Sequence, residues 1–173
     1  ASSPLNIVSP VVNSGGGDIT LTASDDGGSD DHLTISANVT ALGGNGGIDL
    51  NAGTDLIINN DVTVSTDGNG AITGDAVREI AISSNVGTTT IQATGGNISL
   101  TANRGLAAVT GDFDGINIDD ALVTATTGNL LLDGRSGDAG TSNEGIVLTN
   151  GAIVSTTGVG SGTITLDGDA VSG

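Results

Sequence analysis

The sequence predicts an all-β fold, a parallel β-solenoid of about six coils, on three observations. One hydrophobic pattern occurs six times: apolar-x-apolar, three residues, an apolar residue, a Thr/Gly-rich stretch, then usually apolar-x-apolar again. The second apolar site of each copy keeps one residue type, as Ile7, Ile35, Ile58, Ile82, Ile118 and Leu148. Helix is nearly excluded, because stretches such as Gly17-Asp18-Ile19-Thr20-Leu21-Thr22-Ala23 alternate with period two and Gly interrupts every run before four helical turns could form.

The elements follow in chain order. The first copy opens on Leu5-x-Ile7, continues at Val11 and closes on Ile19/Leu21; the second uses Leu33-x-Ile35, Val39 and Ile48/Leu50. The third is Leu56-x-Ile58, Val62 and Ile72 alone, and the fourth is Ile80-x-Ile82, Val86 and Ile98/Leu100. The fifth is Ile116-x-Ile118, Leu122 and Leu130/Leu132, and the sixth is Ile146-x-Leu148, Ile153 and Ile164/Leu166. Start-to-start spacings of 28, 23, 24, 36 and 30 residues suit a repeat architecture spanning residues 1–173 as one domain. Short Ile/Val/Thr runs bounded by Gly, Asn and Asp read as strands.

Eight dipeptides read as turns requiring positive φ: Asn45-Gly46, Asn69-Gly70, Asn150-Gly151, Asp26-Gly27, Asp67-Gly68, Asp114-Gly115, Asp133-Gly134 and Asp167-Gly168. They would also serve the hairpins of an antiparallel β-sandwich, the competing fold. Stacking separates the two. In a solenoid, equivalent residues lie about 4.8 Å apart and must resemble one another; a sandwich makes no such demand.

Composition limits the function. One aromatic residue (Phe113), no Cys, Met, Trp, Tyr or Lys, and 30 Gly leave Val, Ile, Leu and Ala to fill thin stacked layers. A formal charge of −17 repels phosphates and anionic lipid, so nucleic acid is excluded as a partner. No apolar run approaches the roughly 18 residues of a membrane helix, and no leader peptide opens the chain, so no membrane insertion is expected. No disulfide can form, and stability rests on packing and ladder hydrogen bonds.

The segments between one copy and the next (22–32, 51–55, 73–79, 101–115, 133–145 and 167–173) hold 14 of the 20 acids, all three arginines, His32 and Phe113. In a solenoid they project from one edge. Asp25, Asp26, Asp30 and Asp31 in the first are candidate calcium ligands, calcium being a hard cation that wants six to eight oxygens. Asp112, Asp114, Asp119 and Asp120 form a weaker cluster. Gly43-Gly44-Asn45-Gly46-Gly47-Ile48-Asp49-Leu50-Asn51 fails the calcium-binding nonapeptide pattern, because Ile48 stands where Asp is needed. An enzyme is not expected: acid pairs exist, but there is no Lys, Tyr or Trp, and His32 lacks a nucleophile. Thr88–Thr90, Thr124–Thr127 and Thr156–Thr157 raise an ice-binding reading but lose register between copies. Asn38-Val39-Thr40 and Asn97-Ile98-Ser99 fit the glycosylation sequon, with each Asn facing out.

The phrases Gly16-Gly17-Asp18-Ile19-Thr20-Leu21-Thr22-Ala23, Gly95-Gly96-Asn97-Ile98-Ser99-Leu100-Thr101-Ala102 and Thr126-Thr127-Gly128-Asn129-Leu130-Leu131-Leu132 resemble repeats of large secreted bacterial exoproteins, the filamentous-haemagglutinin-like adhesins. The resemblance implies a secreted or cell-surface scaffold on a right-handed parallel β-helix, used in adhesion or fibre formation. The expected function is therefore a structural or adhesive segment of an extracellular fibre. Its partners would be itself, stacked end to end, adjacent repeats of a longer chain, or a host or glycan receptor. The rival is a calcium-dependent binding module working through the acidic edge.

Overall fold

The computed structural model describes residues 3–27, 30–85, 87–140 and 143–171. It is a parallel β-solenoid. Each winding contributes one strand to each of three six-stranded sheets, and every strand pair is parallel. The first sheet stacks β1 (Leu5–Ile7), β4 (Leu33–Ile35), β7 (Leu56–Ile58), β10 (Ile80–Ser83), β13 (Ile116–Asp119) and β16 (Ile146–Thr149). The second stacks β2 (Val11–Asn13), β5 (Val39–Ala41), β8 (Thr63–Thr66), β11 (Thr89–Ala93), β14 (Ala121–Ala125) and β17 (Ile153–Thr156). The third stacks β3 (Ile19–Ala23), β6 (Ile48–Ala52), β9 (Ile72–Ala76), β12 (Ile98–Ala102), β15 (Leu130–Arg135) and β18 (Ile164–Asp169). No helix occurs among the described residues.

Like residues stack because the backbone ladder holds successive windings in register. Leu5, Leu33, Leu56, Ile80, Ile116 and Ile146 form one inward column of the first sheet, and the Ile7-to-Leu148 set forms the next. In the third sheet Ile19, Ile48, Ile72, Ile98, Leu130 and Ile164 stack in the same way. Leu33, Ile35, Leu50, Ile58, Ile91 and Leu100 in the interior windings are 0% exposed. At roughly 1.5–3 kcal/mol per buried aliphatic side chain, before chain entropy, these columns are the main source of stability.

The second sheet corrects the sequence reading. Its inward column is Val11, Val39, Val64, Ile91, Val123 and Val154, in register. Val62, Leu122 and Ile153, predicted for this column, stand outside it: Val62 is buried at a corner, Leu122 is half-exposed and Ile153 is 55% exposed. Val86 lies outside the described residues. The cause is the corner between the first and second sheets, which lengthens from Ser36–Asn38 in the second winding to the segment after Ser83 in the fourth. A fixed three-residue gap therefore slips out of phase, and a one-residue slip in a strand reverses which side faces inward. Polar residues occupy some inward places and are satisfied there: the Thr66 hydroxyl donates to the Gly70 carbonyl (2.7 Å), and the Thr89 hydroxyl donates to the Ser83 carbonyl (2.8 Å).

The glycines correct a second expectation. Of the eight turn dipeptides, positive φ occurs at Gly27, at Gly68 and at both Asn150 and Gly151, whereas Asp133-Gly134 and Asp167-Gly168 are strand. Gly46 and Gly70 belong to a column running Gly17, Gly46, Gly70, Gly96, Gly128 and Gly162 at the corner before the third sheet. A Cβ on any of its last five members would strike the carbonyl oxygen of the glycine one winding below. Glycine is needed here so that backbone can rest on backbone, not for handedness. Gly134, too, is held by close approach, to the Gly145 carbonyl. Gly74 occupies the leucine column of Leu21, Leu50, Leu100, Leu132 and Leu166. The space is already taken, since a Cβ there would lie 2.8 Å from Leu100 Cδ2 and 3.0 Å from Leu56 Cδ2.

Among the described residues nothing covers the outer side of the sixth winding. Leu148, Ile164 and Leu166 are 41%, 43% and 49% exposed, although their counterparts one winding earlier, Ile118, Leu130 and Leu132, are buried. Glu144, Gly145, Ile146, Leu148, Leu166, Gly168 and Ala170 line an open hollow of about 520 Å³ at this end.

Candidate functional site

Irregular structure concentrates where the third sheet hands over to the first. The connecting segments are 24–32, 53–55, 77–79, 103–115 and 136–145, so two short corners lie between long ones. The acids are shared between these segments and the third sheet. Asp75, Asp133, Asp167 and Asp169, read from sequence as loop residues, sit on β9, β15 and β18, because those strands run on past the closing apolar residues into segments that the sequence suggested were connections.

A charged cluster binds the two short corners together. Asp55 is 6% exposed and accepts from Arg78 through both Nε (2.6 Å) and Nη2. His32 Nδ1 lies 3.2 Å from Asp55 and 2.9 Å from the Thr54 hydroxyl, so the contact crosses three windings. Arg78 also stands over the Phe113 ring, 5.7 Å from its centroid. Glu79 follows Arg78. Burial, with the nearby charges of Asp55 and Asp114 and against the pull of Arg78, pushes its carboxyl up to about 7. One arginine thus serves several carboxylates, and Glu79 holds a proton that a surface glutamate would lose.

The segment after β12 is pinned rather than loose. Asn103, fully buried, accepts from the Val109 N–H (2.8 Å) and donates to the Ser136 carbonyl (2.8 Å). Arg135 Nη2 donates to the carbonyls of Gly105 and Ala107, each at 2.9 Å. Arg104 is ion-paired with Asp133 and Asp169, with Asp167 at 3.5 Å. On the other side Asp25 lies directly on Gly53, where a Cβ would meet the Asp25 backbone at 2.6–2.7 Å. Between these two walls, over the short corners, runs a groove of about 630 Å³. Its floor includes Thr22, Asn51, Asp75 and Thr101, which occupy one outward register position on successive strands. Its sides include Val77, Ala107 and Val109. Burial, reinforced by Asp49, raises the Asp75 carboxyl above its ordinary range, while a hydrogen bond with Thr101 opposes the shift.

The four candidate calcium ligands fall in the 24–32 segment. Asp25 accepts from the Gly27 N–H (2.9 Å) and the nearly buried Asp31 from the Asp26 N–H (3.0 Å). No group of three or more His, Asp or Glu in metal-holding geometry occurs among the described residues. Asp112 and Asp114 lie in the 103–115 segment, whereas Asp119 and Asp120 lie at the end of β13 and just beyond it. No outward column carries Thr through all six windings; the position after Val11 reads Val12, Thr40, Ser65, Gln92, Thr124 and Ser155. Asn38 and Asn97 are exposed, and their side-chain oxygens accept from the backbone N–H of Thr63 and Asn129 in the next winding, both at 2.8 Å.

Sequence reasoning missed the groove and the arginine strap. Corner length was the available signal, since two short connections between two long ones predict a notch. No family model, curated protein or solved structure matches the chain.

Proposed function

We propose that the chain is a structural and adhesive segment of an extracellular or cell-surface fibre, built to continue winding upon winding along its axis. The sixth winding carries this reading. It presents to solvent the same columns that every interior junction buries, with Leu148, Ile164 and Leu166 exposed beside three unpaired strand edges. The first winding offers matching residues in register: Leu5 and Ile7 for Ile146 and Leu148, Val11 for Val154, and Ile19 and Leu21 for Ile164 and Leu166. A next layer, whether further windings of one polypeptide or a second copy, would satisfy the ladder and cover the apolar end together.

Load along the axis is then carried by backbone hydrogen bonds, and adhesion by the outward faces. The charge of −17 opposes close approach of copies, so salt should promote stacking by screening. Electron microscopy and sedimentation over a range of salt and protein concentration test the reading. Rods that lengthen in steps of about 29 Å, six windings at about 4.8 Å, are expected at high salt. A compact monomer at every concentration would sink end-to-end growth.

A further inference from the structure

We infer that the groove between Ser24–Asp25 and the 103–110 segment is a docking site for a lysine side chain presented by a partner polypeptide segment outside these 173 residues. The groove lies on the outward flank of the first four windings and reaches the edge strand β3 at Thr22; its floor residues point out from the sheet rather than along the axis, so the inference stands apart from axial growth.

Its shape is built in. The two short corners, 53–55 and 77–79, leave the space; Arg135 and Asn103 fix the far wall through four hydrogen bonds, and Gly53 lets the near wall settle onto the floor. A preformed site avoids the ordering cost of binding. Its charge lacks a counter-ion. Asp75, exposed on the outward side of β9, has Asp49 one strand away, and each cationic side chain of the chain is engaged elsewhere: Arg78 and His32 on Asp55, Arg104 on Asp133 and Asp169, Arg135 on two carbonyls. Arg104, which also lines the groove, faces three aspartates, so that end is net negative as well.

The ligand chemistry follows. An ammonium group has three donors and no acceptor. Asp75, the Asn51 carboxamide oxygen and the hydroxyls of Thr22 and Thr101 supply acceptors at successive rungs about 4.8 Å apart. Val77, Ala107 and Val109 suit the aliphatic stem that lysine lays along apolar surface. A guanidinium would engage the Asp75 carboxylate alone, whereas the other acceptors, single oxygens on separate strands, suit the three point donors of an ammonium. Anions are repelled by the chain's field, and Phe113, the sole aromatic ring, is occupied under Arg78 rather than offered to a sugar. These 173 residues contain no lysine, so the occupant comes from outside them.

The test is amide-resolved NMR titration of the chain with acetyl-Ala-Lys-Ala-amide and its norleucine counterpart, under conditions where sedimentation shows monomer. Shifts confined to residues 22–25, 51–53, 75–77 and 101–109 are expected with the lysine peptide alone. Asp75→Asn should weaken binding roughly tenfold, and Val77→Ser, at an exposed corner, should weaken it too. Asp120→Asn removes the same charge at a distant corner and should change nothing. Equal loss in the Asp75 and Asp120 variants would reduce the site to general electrostatics, and either that result, shifts spread over the surface, or equal binding of the norleucine peptide overturns the inference.

Discussion

The fourth winding and the sixth are written in nearly the same residues and live in different environments. Ile82 and Leu100 in the fourth are essentially sealed, whereas Leu148 and Leu166, at the same register in the sixth, are 41% and 49% exposed. Burial in this fold belongs to the layer above and the layer below more than to the side chain itself. The same substitution should therefore have very different consequences at the two heights.

The largest expected effect is at the sealed height. Ile82→Asp places a carboxylate in a dry column and should cost about 5 kcal/mol or more, unfolding the surrounding windings in a circular-dichroism melt. Retention of the parent melting curve would refute the inward assignment. Next is Gly70→Ala, whose Cβ would meet the Gly46 carbonyl; about 3 kcal/mol of destabilisation in urea unfolding is expected, since backbone rather than a mobile side chain must give way. Gly74→Leu tests the columns from the opposite direction. It restores the leucine pattern in sequence yet overfills space held by Leu100 and Leu56, and should destabilise by about 2 kcal/mol.

Glu79→Gln sharpens the contrast at the corner. Unfolded, this carboxyl titrates near its ordinary 4.5; folded, near 7. Between those values the folded chain binds more protons, so the group's contribution is fully present below 4.5 and is lost as pH rises through about 7. The amide variant should be more stable by about 1 kcal/mol at pH 8, allowing for the side chain's partial exposure, and no different at pH 4.5. Thermal melts at the two pH values check it. The smallest effect on stability belongs to the open end. Leu166→Asp should change the melt by less than about 0.5 kcal/mol while abolishing salt-promoted growth in sedimentation.

What could be read from the sequence divides along the same physical line. The first and third sheets were legible because their two inward residues sit one apart, so Leu33-x-Ile35 or Ile98-x-Leu100 marks a strand wherever it falls. The second sheet was not, because its phase depends on a corner of variable length and on inward Thr and Ala, such as Thr66 and Ala93, that carry no hydrophobic signal. The glycine column was visible in the string, two residues before each closing pair, but its meaning was not: contact between windings is a three-dimensional fact. The groove was the least legible part. It depends on Arg104 and Arg135 reaching strands and carbonyls some thirty residues away in sequence.

Because like rests on like at every level, the polypeptide is divisible into interchangeable cassettes. Excising residues 56–79 would set Ile80 over Leu33 and Ile82 over Ile35, pairings of the kind already found between Leu56 and Ile80. The molecule would be shorter by a single strand spacing, about 4.8 Å, with its interior unchanged in kind. Length in such a chain can be inherited by whole-cassette duplication or loss, with no need to redesign what lies inside.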